Sequence, residues 1–115
     1  MNLIKKLHPW ITTYSALLKN CHHGQEVTVG GKIIDKTVVN VDDKTMNCFL
    51  DIDDGTDEFT AMLPDGVYQA FKDETNMGSL VKIEGKVFIL KIPDKRKQET
   101  KVIAYDIANI KTTKT

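Results

Sequence analysis

Glu26-Val27-Thr28-Val29-Gly30-Gly31-Lys32-Ile33-Ile34 changes the rhythm of the chain. Before it, apolar residues recur at helical spacing. From Glu26 on, they recur at every second position. Val27, Val29, Gly31 and Ile33 fall on one face, and Thr28, Lys32 and Ile34 on the other. That period is the mark of a β-strand with one buried face. Two adjacent glycines in mid-strand predict a bulge or a sharp bend. Residues 80–92 have the same rhythm, with Val81, Ile83, Gly85 and Val87 on one face. Here too a glycine lies mid-strand, where the wall of a barrel must bend.

Working outward, residues 8–20 read as a helix. Pro9 suits its first turn, Trp10, Tyr14, Leu17 and Leu18 form an apolar stripe, and His22, His23 and Gly24 end it. The first strand continues to about residue 41, and Asp42, Asp43 and Lys44 make a turn. A second strand covers 46–53, with Cys48, Leu50 and Ile52 as its core face. Asp54-Gly55 signals a hairpin, and a third strand covers 57–63. Pro64 opens a short helix to about residue 73, with Val67, Tyr68 and Phe71 on one side. The strand over 80–92, a charged loop over 93–100 and a fifth strand over 101–110 follow.

The order is strand, strand, strand, helix, strand, strand. It predicts an all-β protein with short helices: a five-stranded OB-fold Greek-key barrel with a helix between strands three and four. An SH3-like barrel is the alternative, but it lacks a helix of this length at this point. The expected organisation is an N-terminal helical extension over 1–25, the barrel over 26–110 and a flexible tail over 111–115.

A chain of 115 residues fits one domain, and 41% hydrophobic with 28% charged residues is an ordinary globular composition. Sixteen basic residues balance sixteen acidic ones, whereas nucleic-acid-binding domains are often basic. The charge is segregated, however. Residues 86–115 hold eight basic against three acidic side chains, and residues 42–58 hold seven acidic against one basic. The first region can attract phosphate and the second repels it. Two cysteines are too few for a disulfide framework. No apolar run reaches the length of a membrane span, and residues 1–7 do not open a signal peptide, so a cytoplasmic location is expected.

The stretch from Val27 to Ile110 resembles the OB domains that bind anticodons in class II aminoacyl-tRNA synthetases, and the OB domain of the bacterial replicative DNA polymerase catalytic subunit. The resemblance rests on Val27-Thr28-Val29-Gly30-Gly31-Lys32-Ile33, on Phe49-Leu50-Asp51-Ile52-Asp53-Asp54 and on Val81-Lys82-Ile83-Glu84-Gly85-Lys86-Val87. The family's strand-two pattern of Phe, apolar residue and Asp falls on Phe49, Ile52 and Asp54. Gly55 stands one or two residues earlier than that pattern places its glycine. The resemblance implies that Phe49 stacks on a base and that Thr60 occupies the position of a strand-three residue that reads a base edge.

The alternation itself also turns Phe49 away from the core, together with Asp51 and Asp53. An outward aromatic on strands two and three lies where OB folds stack bases; the alternatives are an aromatic lying under the N-terminal helix or one that is simply exposed. Lys32 and Lys36 are expected on the non-core face of strand one, and Lys82, Lys86 and Phe88 on that of strand four. Lys91, Lys95, Arg96, Lys97 and Lys101 surround the loop between strands four and five, where they could clamp phosphates or serve only as a solvated surface. Asp51 and Asp53 beside Phe49 argue against a purely electrostatic grip.

Cys21, His22 and His23 are adjacent, with no spaced partner pair to complete a metal site. The aspartates between 42 and 57 do not follow the order of an EF-hand. No phosphate-cradling glycine loop or nucleophile elbow occurs, so no catalytic residue, cofactor or metal is expected. The expected function is a stand-alone single-stranded DNA-binding accessory protein, working with a replication enzyme such as a polymerase, primase or helicase. This resembles the small solitary OB proteins encoded beside replication genes in phages and mobile elements. A homo-oligomer is also considered. An RNA- or tRNA-binding protein would use the same face. A protein-interaction module is the third reading, favoured by the neutral charge; in it Trp10 and Tyr14 dock a partner rather than plug the barrel.

Overall fold

The alternating apolar positions all turn inward. Val27, Val29 and Ile33, then Cys48, Leu50 and Ile52, then Phe59, Ala61 and Leu63 are buried, as are Val81, Ile83 and Val87 and finally Val102, Ala104 and Ile107. Each removes apolar surface from water, and together they form one continuous core. The computed structural model describes residues 11–13, 18, 20–92 and 97–110. In it the strands are β1 (Glu26–Asn40), β2 (Met46–Asp53), β3 (Glu58–Leu63), β4 (Leu80–Ile92) and β5 (Lys97–Asn109), with helix α1 (Asp65–Phe71) between β3 and β4. They close into a barrel in the order β1-β2-β3-β5-β4. This is the OB barrel expected from the sequence.

One strand serves two neighbours. The first half of β1 pairs with β4 and the second half with β2, and Lys32 is partnered on both sides, by Leu80 and by Asp53. The chain bends at this handover, and the glycine pair sits there. A Cβ on Gly30 would meet the carbonyl oxygen of Val81 on β4, and one on Gly31 the carbonyl oxygen of Asp53 on β2. Only a residue without a side chain allows both walls to come so close.

The bulge predicted near Gly30-Gly31 lies further along, at Ile34, where the pairing of β1 with β2 shifts between Ile33 and Asp35. A second bulge, at Tyr105, offsets β5 against β4. One extra residue reverses which face the following side chains take. This accounts for the three-residue step between buried Ala104 and buried Ile107.

The seam between β3 and β5 is short and parallel, pairing Ala61 with Val102 and Met62 with Ile103. The expected charged loop over 93–100 is shorter than read: β5 starts at Lys97, which pairs with Ile92. Residues 94–100 contain no apolar side chain, so no β-period shows there in the sequence. Helix α1 has seven residues, too few to stand alone. It is held by buried Tyr68 and by Met46, whose N–H donates to Asp65 Oδ1 at 2.9 Å.

The helix read over 8–20 lies outside the described residues except at 11–13, 18 and 20, so the roles of Trp10 and Tyr14 do too. The described positions hug the barrel. Leu18 belongs to the core and Ile11 is buried. Thr12 N–H donates to the Thr28 carbonyl at 2.9 Å, and Gly24 N–H to that of Val87 at 2.7 Å.

Gly85 makes a second close approach: a Cβ there would strike the carbonyl oxygen of Ile103 on β5 and lie 2.9 Å from Val102 Cγ1. Backbone cannot move aside as a flexible side chain can. Gly85→Ala is therefore expected to destabilise the barrel by about 1–3 kcal/mol. Urea unfolding checks this as a lowered midpoint, and an unchanged midpoint would show that the β4–β5 wall can spread.

Candidate nucleic-acid interface

The hairpin of β2 and β3 carries the candidate surface, and its register depends on one buried carboxylate. Asp54 is fully buried in the turn. Its Oδ1 accepts from the Thr56 N–H at 2.9 Å, the Thr56 hydroxyl at 2.7 Å and the Asp57 N–H at 3.2 Å. The Asp of the family pattern thus serves the turn rather than a ligand. The turn sets Asp53 opposite Glu58, Asp51 opposite Thr60 and Phe49 opposite Met62.

Phe49, Asp51 and Asp53 point away from the buried Cys48, Leu50 and Ile52, as the alternation predicted. Phe49 is half-buried. Thr60 is not directly across from it; that position belongs to Met62. Thr60 is diagonal to Phe49, and its hydroxyl donates to Asp51 Oδ1 at 2.8 Å. A base-reading role for Thr60 therefore passes through a shared Asp51–Thr60 unit. Alternation alone could have marked Met62, since Ala61 and Leu63 face inward.

The β3–β5 seam brings Lys101 to this face. Its ammonium nitrogen lies 5.9 Å from the centre of the Phe49 ring, inside the range of cation–π attraction. The same nitrogen is 3.7 Å from Glu99 Oε2, in a pair whose side chains are 33% and 48% exposed. A pair so open to water contributes little and is easily exchanged for another anion. Phe88 of β4 is paired with Lys101 across the sheet. His23 packs on Phe88 with ring centres 5.2 Å apart, and its Nδ1 accepts the Ile89 N–H at 3.1 Å. Phe49, Thr60, Lys101 and Phe88 are the predicted site residues that the fold gathers.

Lys36 leaves the group. The bulge at Ile34 turns it to the side of Leu50, its partner on β2. There Lys36 Nζ donates to the Thr75 hydroxyl at 2.8 Å and sits 5.3 Å from the centre of the Tyr68 ring. Burial pushes the Cys48 thiol up in pKa, and the charge of Lys36 pulls the other way. Lys36 is thus a structural cation at the α1 end of the barrel, not a partner of Lys32 on the outer face.

Lys32 is exposed and faces Asp53 across β2. Lys82 and Lys86 lie on the outer side of β4, with β1 between them and β2 on one side and β5 and β3 on the other, and Lys86 pairs with Glu26. Lys91 and Lys97 fall on the paired arms of β4 and β5; Lys95 and Arg96 lie outside the described residues. The wall where β1 meets β4 mixes signs, Glu26 and Glu84 standing among Lys82 and Lys86. Glu26, Glu84 and Tyr105 line a shallow cavity of about 270 Å³ there. Burial, then the charges of Glu26, Glu84 and Asp106, raise the Tyr105 phenol pKa.

No helix among the described residues is long and apolar enough to cross a membrane. No curated protein sequence matches the chain. Among solved structures, the fold is similar to asparaginyl-tRNA synthetase from Pyrococcus horikoshii, with 23% identity and a TM-score of 0.63 over 88% of this chain. The match spans only 23% of the synthetase. It is similar also to the second single-stranded DNA-binding protein of Mycobacterium smegmatis, with 13% identity and a TM-score of 0.63 over 74% of this chain and 84% of that one. The mitochondrial single-stranded DNA-binding protein Rim1 of S. cerevisiae gives 15% identity and a TM-score of 0.57 over 80% of this chain and 99% of its own. At these identities the likeness is one of fold. The sequence profile of the OB-fold nucleic acid binding domain matches residues 27–110, which is 84 of 115 residues and takes in all five strands, and the chain belongs to that family.

Proposed function

We propose that the protein binds single-stranded DNA through the outer face of β2, β3 and β5, performs no chemistry of its own, and supports replication beside a polymerase, primase or helicase. The observation that carries this reading is the half-buried Phe49 ring with the Lys101 ammonium 5.9 Å from its centre. An aromatic fixed on a rigid sheet offers a stacking platform to any base whose face is free, and a base has a free face only in a single strand. A cation beside the platform meets the phosphate that accompanies that base. In the free protein Lys101 leans over the ring; an arriving base takes its place and Lys101 moves to the backbone.

DNA is preferred to RNA because the likeness to the two single-stranded DNA-binding proteins extends along 84% and 99% of their own lengths. An RNA or tRNA role is the second reading, favoured by the similarity to the synthetase. Contacts to 2′-hydroxyls would mark it. The carboxylates around Phe49 limit the electrostatic contribution, so modest affinity is expected from one barrel. A protein partner or a second copy would raise the effective affinity.

Fluorescence anisotropy with labelled oligothymidylate, oligouridylate and duplex DNA tests the reading. Single strands should bind in preference to duplex, and Phe49→Ala should lose about 1–3 kcal/mol. Equal binding of duplex, or full affinity in the variant, would refute the stacking platform; stronger binding of oligouridylate would favour the RNA role.

Lys101→Ala should weaken all single strands alike and make the slope of log affinity against log salt shallower by about 0.7, the contribution of one phosphate contact. A variant with an unchanged slope would show that Lys101 does not touch the backbone.

A further inference from the structure

Phe49 stands on the outer face of β2 between Asn47 and Asp51, with Thr37 as its partner on β1, so the two sides of the ring differ in hydrogen-bonding character. Asp51 lies two residues further along the same face, about 6.5–7 Å away. That distance is comparable to the long axis of a nucleobase stacked on the ring. A carboxylate can only accept hydrogen bonds. One oxygen of Asp51 takes the hydroxyl hydrogen of Thr60 at 2.8 Å, which fixes the carboxylate and leaves Thr60 with lone pairs alone to offer. Asp35 on β1 is paired with Asp51, and Asp53 follows it on the same face of β2. Asp53 Oδ1 is held by the Gly55 N–H at 2.8 Å. On the Asp51 side of the ring, the edge of a base stacked on Phe49 therefore meets a row of acceptors.

We infer that Asp51 is a specificity-determining residue that selects bases presenting an exocyclic amine at this position, cytosine foremost among the pyrimidines, and disfavours thymine and uracil. The inference rests on the reading of Phe49 as a stacking platform. Cytosine offers its N4 amine to the carboxylate, as aspartate accepts from cytosine N4 in groove readout. Thymine and uracil present a carbonyl at the same place, and two acceptors facing one another repel. Splayed bases of single strands expose these Watson–Crick edges fully. Stacking tolerates any base; the acceptor row does not.

The test is anisotropy with oligodeoxycytidylate and oligothymidylate of equal length, at mildly alkaline pH where cytosine does not pair with itself. The proteins are the wild type, Asp51→Asn and Asp53→Asn. Asparagine keeps an oxygen for the Thr60 hydroxyl, so the hairpin is preserved, and its amide adds a donor that suits the thymine carbonyl. Either substitution removes a negative charge and should strengthen binding of both oligomers, so the quantity to read is the ratio between them. The wild type should favour oligodeoxycytidylate by roughly 5- to 10-fold. Asp51→Asn should bring the ratio to about one or below, because the donor–acceptor match is lost. Asp53→Asn should leave it in place. A wild-type ratio of one, or a ratio that survives Asp51→Asn, would overturn the inference while leaving the stacking platform intact. Failure of the wild type to bind either oligomer would overturn the platform, and the inference with it.

Discussion

The outer face depends on the closure of the barrel between β3 and β5. The seam is two residue pairs long, yet it determines what stands beside Phe49. Without it Lys101 would lie on the far end of the β4–β5 hairpin; with it, a cation from the last strand reaches an aromatic on the second. Closure in turn requires β1 to serve two neighbours, which it does by bending at Gly30-Gly31 against the backbones of β4 and β2. A side chain at that corner would force the walls apart, and the strain would reach the seam through the shared core of Ile33, Leu50, Ala61 and Val102.

A neutral chain binding a polyanion must separate its charges, and the barrel does so by strand. The β2–β3 turn carries Asp53, Asp54, Asp57 and Glu58, while the wall between β1 and β4 balances Glu26 and Glu84 against Lys82 and Lys86. Beside that turn, the face of β2, β3 and β5 has Lys101 next to Phe49. A strand crossing this face is guided as much by where phosphate is refused as by where it is held.

Much of the fold was legible in the sequence because burial imposes a period. β2 and β4 were read to the residue, since each strand keeps one unbroken apolar face. The two bulges were not legible. Ile34 and Tyr105 resemble ordinary strand residues, and nothing local says that the partner strand will skip them. The cost of that blindness falls on Lys36, which the unbroken period assigns to the outer face and the bulge sends toward Tyr68 and Thr75. The start of β5 was read four residues late because Lys97 to Thr100 contain no apolar side chain. Of the candidate site, Phe49 was legible from alternation and from the family pattern together. The pairing of Thr60 with Asp51 required the register that Asp54 sets in the turn, and the approach of Lys101 to Phe49 is a contact between distant strands that no local pattern encodes.

Backbone amide NMR during titration with oligothymidylate tests the central claim most directly, because it locates the ligand without altering the protein. The account predicts that the shifts concentrate on Phe49, Asp51, Thr60, Met62, Lys101 and Ile103, on adjacent strands of one face, and leave Glu26, Glu84 and Tyr105 unmoved. Shifts gathered on the wall between β1 and β4, or spread without relation to the Phe49 face, would contradict it.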